Sequence, residues 1–121
     1  NGAQMNGKER RQLHRKPLRI EAIYQDSQRK YHRGMARDIN VSGAYIETSH
    51  IMERGSIIHI SLIESYRERI IDVDGEVVHS EPGKGMGIKF TDQDNKEIRQ
   101  LISIIKMQDQ TSLLSLSTSS F

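Results

Sequence analysis

The chain contains no cysteine. That absence excludes disulfides, thiolate nucleophiles and thiolate-ligated zinc at once, and it fits a reducing compartment. No apolar run approaches the roughly 20 residues that span a bilayer, so no membrane span is expected. Aromatic residues are few, four Tyr and two Phe without any Trp, and none of them falls in a run resembling the stacking platform of a single-strand-binding module. The start Asn1-Gly2-Ala3-Gln4-Met5 is polar and leads into no apolar stretch. It predicts no secretory leader and a cytoplasmic location, with residues 1–4 foreign to a native start at Met5. Asn40-Val41-Ser42 matches a glycosylation sequon, which without a leader is coincidence.

What is present describes one small domain. With 121 residues, 28% charged and 35% hydrophobic, the chain is long enough for one core and too short for two. The net charge of +2 conceals an asymmetry: Lys8, Arg10, Arg11, Arg15, Lys16 and Arg19 against Glu9 make residues 8–19 carry +5, leaving −3 for the rest. A basic arm on a slightly acidic body points to an anionic partner.

Leu18, Ile20 and Ala22 alternate with polar residues as one face of a first strand, and Tyr31 to Arg37 pairs back as a second after a polar turn. Gly43 to Thr48 forms the third, Ser56 to Ile63 the fourth, and Arg69 to His79 the fifth, with Ile71, Val73, Gly75 and Val77 facing inward. Pro82-Gly83-Lys84-Gly85 turns the chain into a sixth strand, Met86 to Phe90. Six short strands separated by turns predict a mainly β fold, a small antiparallel barrel without exposed edges. A C-terminal helix is predicted over about 92–107, N-capped by Thr91 or Asp92, with Ile98, Leu101, Ile102 and Ile105 as its apolar stripe. The organisation expected is a flexible segment over 1–9, one domain over 10–107 with strands from about 18 to 90, and a Ser-rich flexible tail over 108–121.

Enzymatic motifs are missing. Gly83-Lys84-Gly85-Met86-Gly87 precedes a strand and lacks phosphate-loop spacing. His14, His32, His50, His59 and His79 sit at no ligand spacing, and Asp72, Asp74 and Glu76 read as a solvated strand face. No metal, cofactor or catalytic residue is expected.

Two stretches carry more specific chemistry. Arg11 and Arg15 form an R-x-x-x-R pair whose guanidinium forks suit phosphate oxygens, with Arg10 directly before it. Asp38-Ile39-Asn40-Val41-Ser42-Gly43 places polar side chains at a turn between the second and third strands. Alone, the first is ordinary surface chemistry and the second a hairpin turn. In this order, and with this strand arrangement, they resemble the PilZ domain, a bacterial receptor module for the second messenger cyclic di-GMP; the resemblance covers about Arg10 to Met107.

The resemblance implies that Arg11, Arg15, Asp38 and Gly43 bind the nucleotide, with Arg10 holding a stacked pair of ligands. It also implies that the mobile arm closes on the barrel and alters contact with a downstream protein. Asn40 stands where that family usually has Ser, and Ser42, a further candidate contact, lies two residues on. Asp38 can accept from a guanine N1–H and amine, and Asn40 offers a donor and an acceptor to base or sugar-phosphate. The other readings are an adaptor of the same fold that binds no nucleotide, and a basic barrel that binds nucleic acid, which the missing aromatic platform disfavours.

Overall fold

The computed structural model describes residues 19–65 and 67–119, with side chains described as far as Met107. The elements are β1 (Ile20–Gln25), β2 (Tyr31–Arg37), β3 (Gly43–Glu47), β4 (Ile57–Glu64), β5 (Arg69–Glu81), β6 (Gly85–Phe90) and α1 (Lys96–Ser119). Leu18, expected to open the first strand, lies outside the described residues.

The strands close into an antiparallel barrel in the order β1-β2-β3-β6-β5-β4, and β1 completes the ring by pairing with both β2 and β4. Closure removes the unpaired strand edges that otherwise template aggregation. Alternate residues point inward. Ile20, Ala22 and Tyr24 of β1 meet Ile58, Ile60 and Leu62 of β4, and Ile71, Val73 and Val77 of β5 complete that wall, all buried. Met86, Ile88 and Phe90 of β6 fill the opposite side. The period-two pattern visible in the sequence is therefore the physical inside of the barrel.

Small residues set how tightly the wall can close. A Cβ on Gly85 would stand 2.2 Å from the carbonyl oxygen of Ile46, and one on Gly34 would stand 2.5 Å from that of Glu47. Neither backbone can yield without breaking the pairing of β3 to β6 or to β2. β5 bends at a bulge, where the register steps between Val77 and His79, so Val78 faces out and is 39% exposed.

The buried phenol of Tyr24 anchors the chain that leaves β3. Its hydroxyl meets Thr48 Oγ1 at 2.8 Å and donates to the backbone oxygen of His50. Burial raises its pKa, partly offset by the Thr48 bond. Glu64, at the end of β4, is fully buried; Oε2 accepts the N–H of Arg67 at 2.8 Å, while Oε1 has no partner among the described residues.

The helix departs from expectation at both ends. Its N-cap is Asn95, whose Oδ1 accepts the N–H of Glu97 at 2.8 Å and of Ile98 at 3.1 Å. Thr91 is already committed to β5, donating its N–H to the Asp74 carbonyl at 3.0 Å, so neither it nor Asp92 starts the helix. Burial falls on Ile98, Leu101 and Ile104, with Ile102 and Ile105 only half-buried. The backbone stays helical to Ser119, across the segment expected as a flexible tail; no Gly or Pro interrupts it. Residues 19–102 form one compact unit, to which Arg69 of β5 and Gln100 of α1 contribute a 2.8 Å hydrogen bond.

Gly85→Ala is expected to cost about 1–3 kcal/mol, because the new methyl meets fixed backbone. Urea unfolding followed by circular dichroism reads the loss as a lower midpoint at unchanged slope.

Candidate functional site

The β2–β3 connection holds the polar residues singled out in the sequence. Asp38 directly follows β2 with φ of 51°, a left-handed conformation that Asp tolerates better than most side chains. Asn40 then organises the loop. Its Oδ1 accepts from the Ser42 N–H at 2.9 Å, the Ser42 hydroxyl at 2.6 Å and the Gly43 N–H at 3.1 Å, while its own N–H donates to the Gly43 carbonyl at 2.9 Å. The acceptor half of the amide is thus spent on the turn. The NH2 half has no partner among the described residues.

Gly43 has a structural reason that the sequence alone does not display. A Cβ there would lie 2.0 Å from the Ile88 carbonyl oxygen, so the residue is small in order to pair with Lys89 of β6. The Ser42 carbonyl accepts the Phe90 N–H at 2.8 Å, fastening the other side of the loop to the same strand. The result is an open groove of about 360 Å³. Asp38, Asn40, Ser42 and Gly43 line it together with Tyr45 of β3, Val78 of β5, and Gly87 and Lys89 of β6. Asp38, Asn40 and Ser42 are all exposed.

Lys89, Val78 and Tyr45 are among the groove residues that sequence reasoning missed. Lys89 brings a cation to the groove only because β6 pairs with β3, and Val78 reaches it only through the bulge in β5. An outward polar residue in the short last strand was the available signal for Lys89. The Tyr45 hydroxyl donates to Glu81 Oε1 at 2.7 Å. That bond raises the Tyr45 pKa and, reciprocally, lowers that of Glu81. Arg37, the last residue of β2, pairs with Glu47 of β3. Arg10, Arg11 and Arg15 lie outside the described residues, so of the expected ligand set the structure brings together Asp38, Asn40, Ser42 and Gly43.

Histidine clusters appear where the sequence has no motif. Asp26, His32 and His50 converge from the β1–β2 turn, the start of β2 and the segment after β3. His59 sits on β4 between two carboxylates of β5, with Nδ1 2.7 Å from Asp74 Oδ1 and Nε2 3.5 Å from Asp72 Oδ1. The Asp74 hydrogen bond is the main reason its pKa is raised. Asp72, Asp74 and Glu76 all face outward, as expected of a solvated strand face.

The sequence pattern of one family, the PilZ domain, matches residues 9–106. In fold, the chain is similar to the PilZ domain with c-di-GMP of YcgR from Escherichia coli, at a TM-score of 0.64 and 11% identity, covering 82% of this chain and 88% of that one. No curated protein matches it by sequence.

Asn40→Ala removes the acceptor shared by three donors; the Ser42 and Gly43 amides are expected to exchange with deuterium at least about tenfold faster, the equivalent of about one net hydrogen bond. His59 favours the folded state while it is protonated. Because its folded pKa is raised above the ordinary 6.5, its contribution is complete below that pH and is lost as pH rises through the raised value. The stability difference between the native chain and His59→Gln, read by urea unfolding, should therefore be largest below pH 6.5 and shrink as pH rises through the raised value.

Proposed function

The chain belongs to the PilZ domain family, and from that premise we propose that it is a cyclic di-GMP receptor domain of the bacterial cytoplasm, binding its ligand between the basic N-terminal arm and the β2–β3 groove. The observation that carries this reading is the groove itself. Asp38 is exposed at its rim, and its carboxylate has no hydrogen-bond or ion-pair partner among the described residues. A free carboxylate there can accept from the N1–H and the amine of a guanine together. Lys89 lines the same groove and offers a cation to a phosphate oxygen.

Cyclic di-GMP has two guanines and two phosphates, so it needs acceptors for its bases and cations for its backbone. Asp38 supplies the first. Arg11 and Arg15 supply the second, and guanidinium also stacks on purines and forks onto guanine O6 and N7. Arg10 extends the grip to a second, stacked nucleotide, giving two ligands per protomer. Ser42 and the NH2 of Asn40 add donors for sugar or phosphate. Ligand draws the arm onto the barrel, and this ordering changes the surface offered to a downstream protein. Binding and transmission, without chemistry on the ligand, is the whole task.

A second reading rests on one observation. Asn40 stands where the family usually has Ser, and its Oδ1 already serves three donors within the loop. A groove arranged in this way also suits an adaptor that binds no nucleotide and recognises only protein.

Calorimetric titration with cyclic di-GMP at physiological salt, with GTP as control, separates the two. Micromolar or tighter binding at two ligands per chain is expected. Arg11→Ala, Arg15→Ala or Asp38→Ala should each weaken it about 10- to 150-fold, the range for a lost charged hydrogen bond, and Lys89→Ala about tenfold. Saturating ligand should slow exchange of the Lys8 to Lys16 amides. Absence of heat with correctly folded protein establishes the adaptor, and unchanged exchange in the arm with normal binding removes the closing-arm mechanism.

A further inference from the structure

At the far end of β2 from the groove, three potential metal ligands meet. From His32 to Asp38 the strand covers about 20 Å at 3.3 Å per residue, so this cluster is separate from the nucleotide site. Asp26 Oδ2 lies 2.8 Å from His32 Nε2 and 3.9 Å from His50 Nε2, and the three ligand atoms all fall within 4.8 Å of one another. Ligands around a tetrahedral ion with bonds of about 2.0–2.1 Å stand about 3.3 Å apart. The observed separations straddle that value. The geometry points to a binding site for a divalent first-row transition ion, of the zinc or nickel type, held by Asp26, His32 and His50.

Each ligand is positioned by something other than the ion. Asp26 is fixed through its second oxygen, where Oδ1 accepts the N–H of Gln28 at 2.8 Å and of Lys30 at 2.9 Å. Such bonds are the outer support that metal-ligating carboxylates ordinarily carry. His32 is set by β2, in register with the buried Tyr24. The backbone of His50 is held at both ends, its carbonyl by the Tyr24 hydroxyl and its N–H by Thr48 Oγ1 at 3.1 Å. The His50 side chain is 48% exposed and free to turn.

That freedom is needed. The rings of His32 and His50 stack at 3.6 Å and lie 7° from parallel, which keeps their nitrogen lone pairs in parallel planes, whereas ligands of one ion converge. A rotation of the His50 ring about its Cβ–Cγ bond opens the stack and turns Nε2 inward.

The donor set selects the ion class. Two imidazoles and one carboxylate suit zinc, nickel, cobalt or copper, and are wrong for magnesium or calcium, which want oxygen throughout. As an ion pair alone the cluster is over-supplied, because one carboxylate balances one imidazolium while two rings crowd it. A cavity of about 510 Å³, walled by Asp26, His50, Met52 and Glu53 among others, adjoins the cluster and leaves room for water or a further carboxylate on a fourth coordination position. The ion would clamp the β1–β2 turn to the segment that follows β3.

The test is titration of the full chain with Zn²⁺ by calorimetry at about pH 7.5, together with the visible absorption of the Co²⁺ complex. One ion per chain at micromolar or tighter affinity is expected, with a rise in thermal midpoint. His50→Ala should weaken binding by about 100-fold or more, since even outer-shell losses reach that size, and should abolish the tetrahedral Co²⁺ bands. Its ring is half-exposed, so the variant should unfold as cooperatively as the native chain; Asp26→Asn serves as a second ligand loss. His59→Ala, in the competing cluster on β4, should leave binding unchanged. No heat and no thermal shift, binding indifferent to His50→Ala, or binding lost in His59→Ala would each overturn the site. Cyclic di-GMP affinity does not enter any of these readouts.

Discussion

Closure of the barrel through β1 is the constraint on which everything else depends. β1 pairs on both sides, with β2 and with β4, so every strand is enclosed and each inward side chain has a defined set of neighbours. A one-residue slip in any pair would turn a whole row of Ile, Leu and Val outward. The hydrophobic alternation therefore fixes register as well as stability. Glycines permit the closure where backbones come closest: Gly43, Gly85 and Gly34 face carbonyl oxygens that leave no room for a methyl group.

The groove follows from that closure. Because β3 lies between β2 and β6, the loop that enters β3 is laid along the end of β6 and brings Asp38 and Asn40 into one groove with Lys89. The loop keeps its shape by internal means, chiefly the side-chain Oδ1 of Asn40, and keeps its exposed carboxylate free. Rigid presentation of a free acceptor is what a guanine needs, since ordering the loop at the moment of binding would subtract from affinity. At the opposite end of β2, the anchoring of Tyr24 to Thr48 and His50 performs a comparable service, carrying a distant histidine to the side of Asp26. The fold thus presents chemistry at both ends, with the hydrophobic interior between them keeping the two independent.

Strand positions were legible because burial in a barrel repeats every second residue, and Ile71, Val73, Gly75 and Val77 announce this directly. β2 was legible in full, from Tyr31 to Arg37. The helix start was harder to read. Thr91, Asp92 and Asn95 are all good N-caps by type, and the choice of Asn95 was made by the hydrogen bonds from Thr91 to Asp74 on another strand. Gly43 was legible as a residue of the polar turn, but the reason it must be small, the backbone of β6, was not. Lys89 and Val78 were not legible as groove residues, one depending on strand order and the other on a bulge.

The sequence by itself determined the family, the mainly β architecture, the inward face of the strands and the polar loop of the candidate site, because each of these is written in local spacing: period two for a strand, turn residues between strands, an arginine pair before the first. Tertiary structure alone decided which distant residues meet. Lys89 reaches the loop, and His50 stacks on His32 beside Asp26, through pairings between segments far apart along the chain. Local pattern carries no record of such meetings, since the free energy that creates them comes from closing the barrel as a whole.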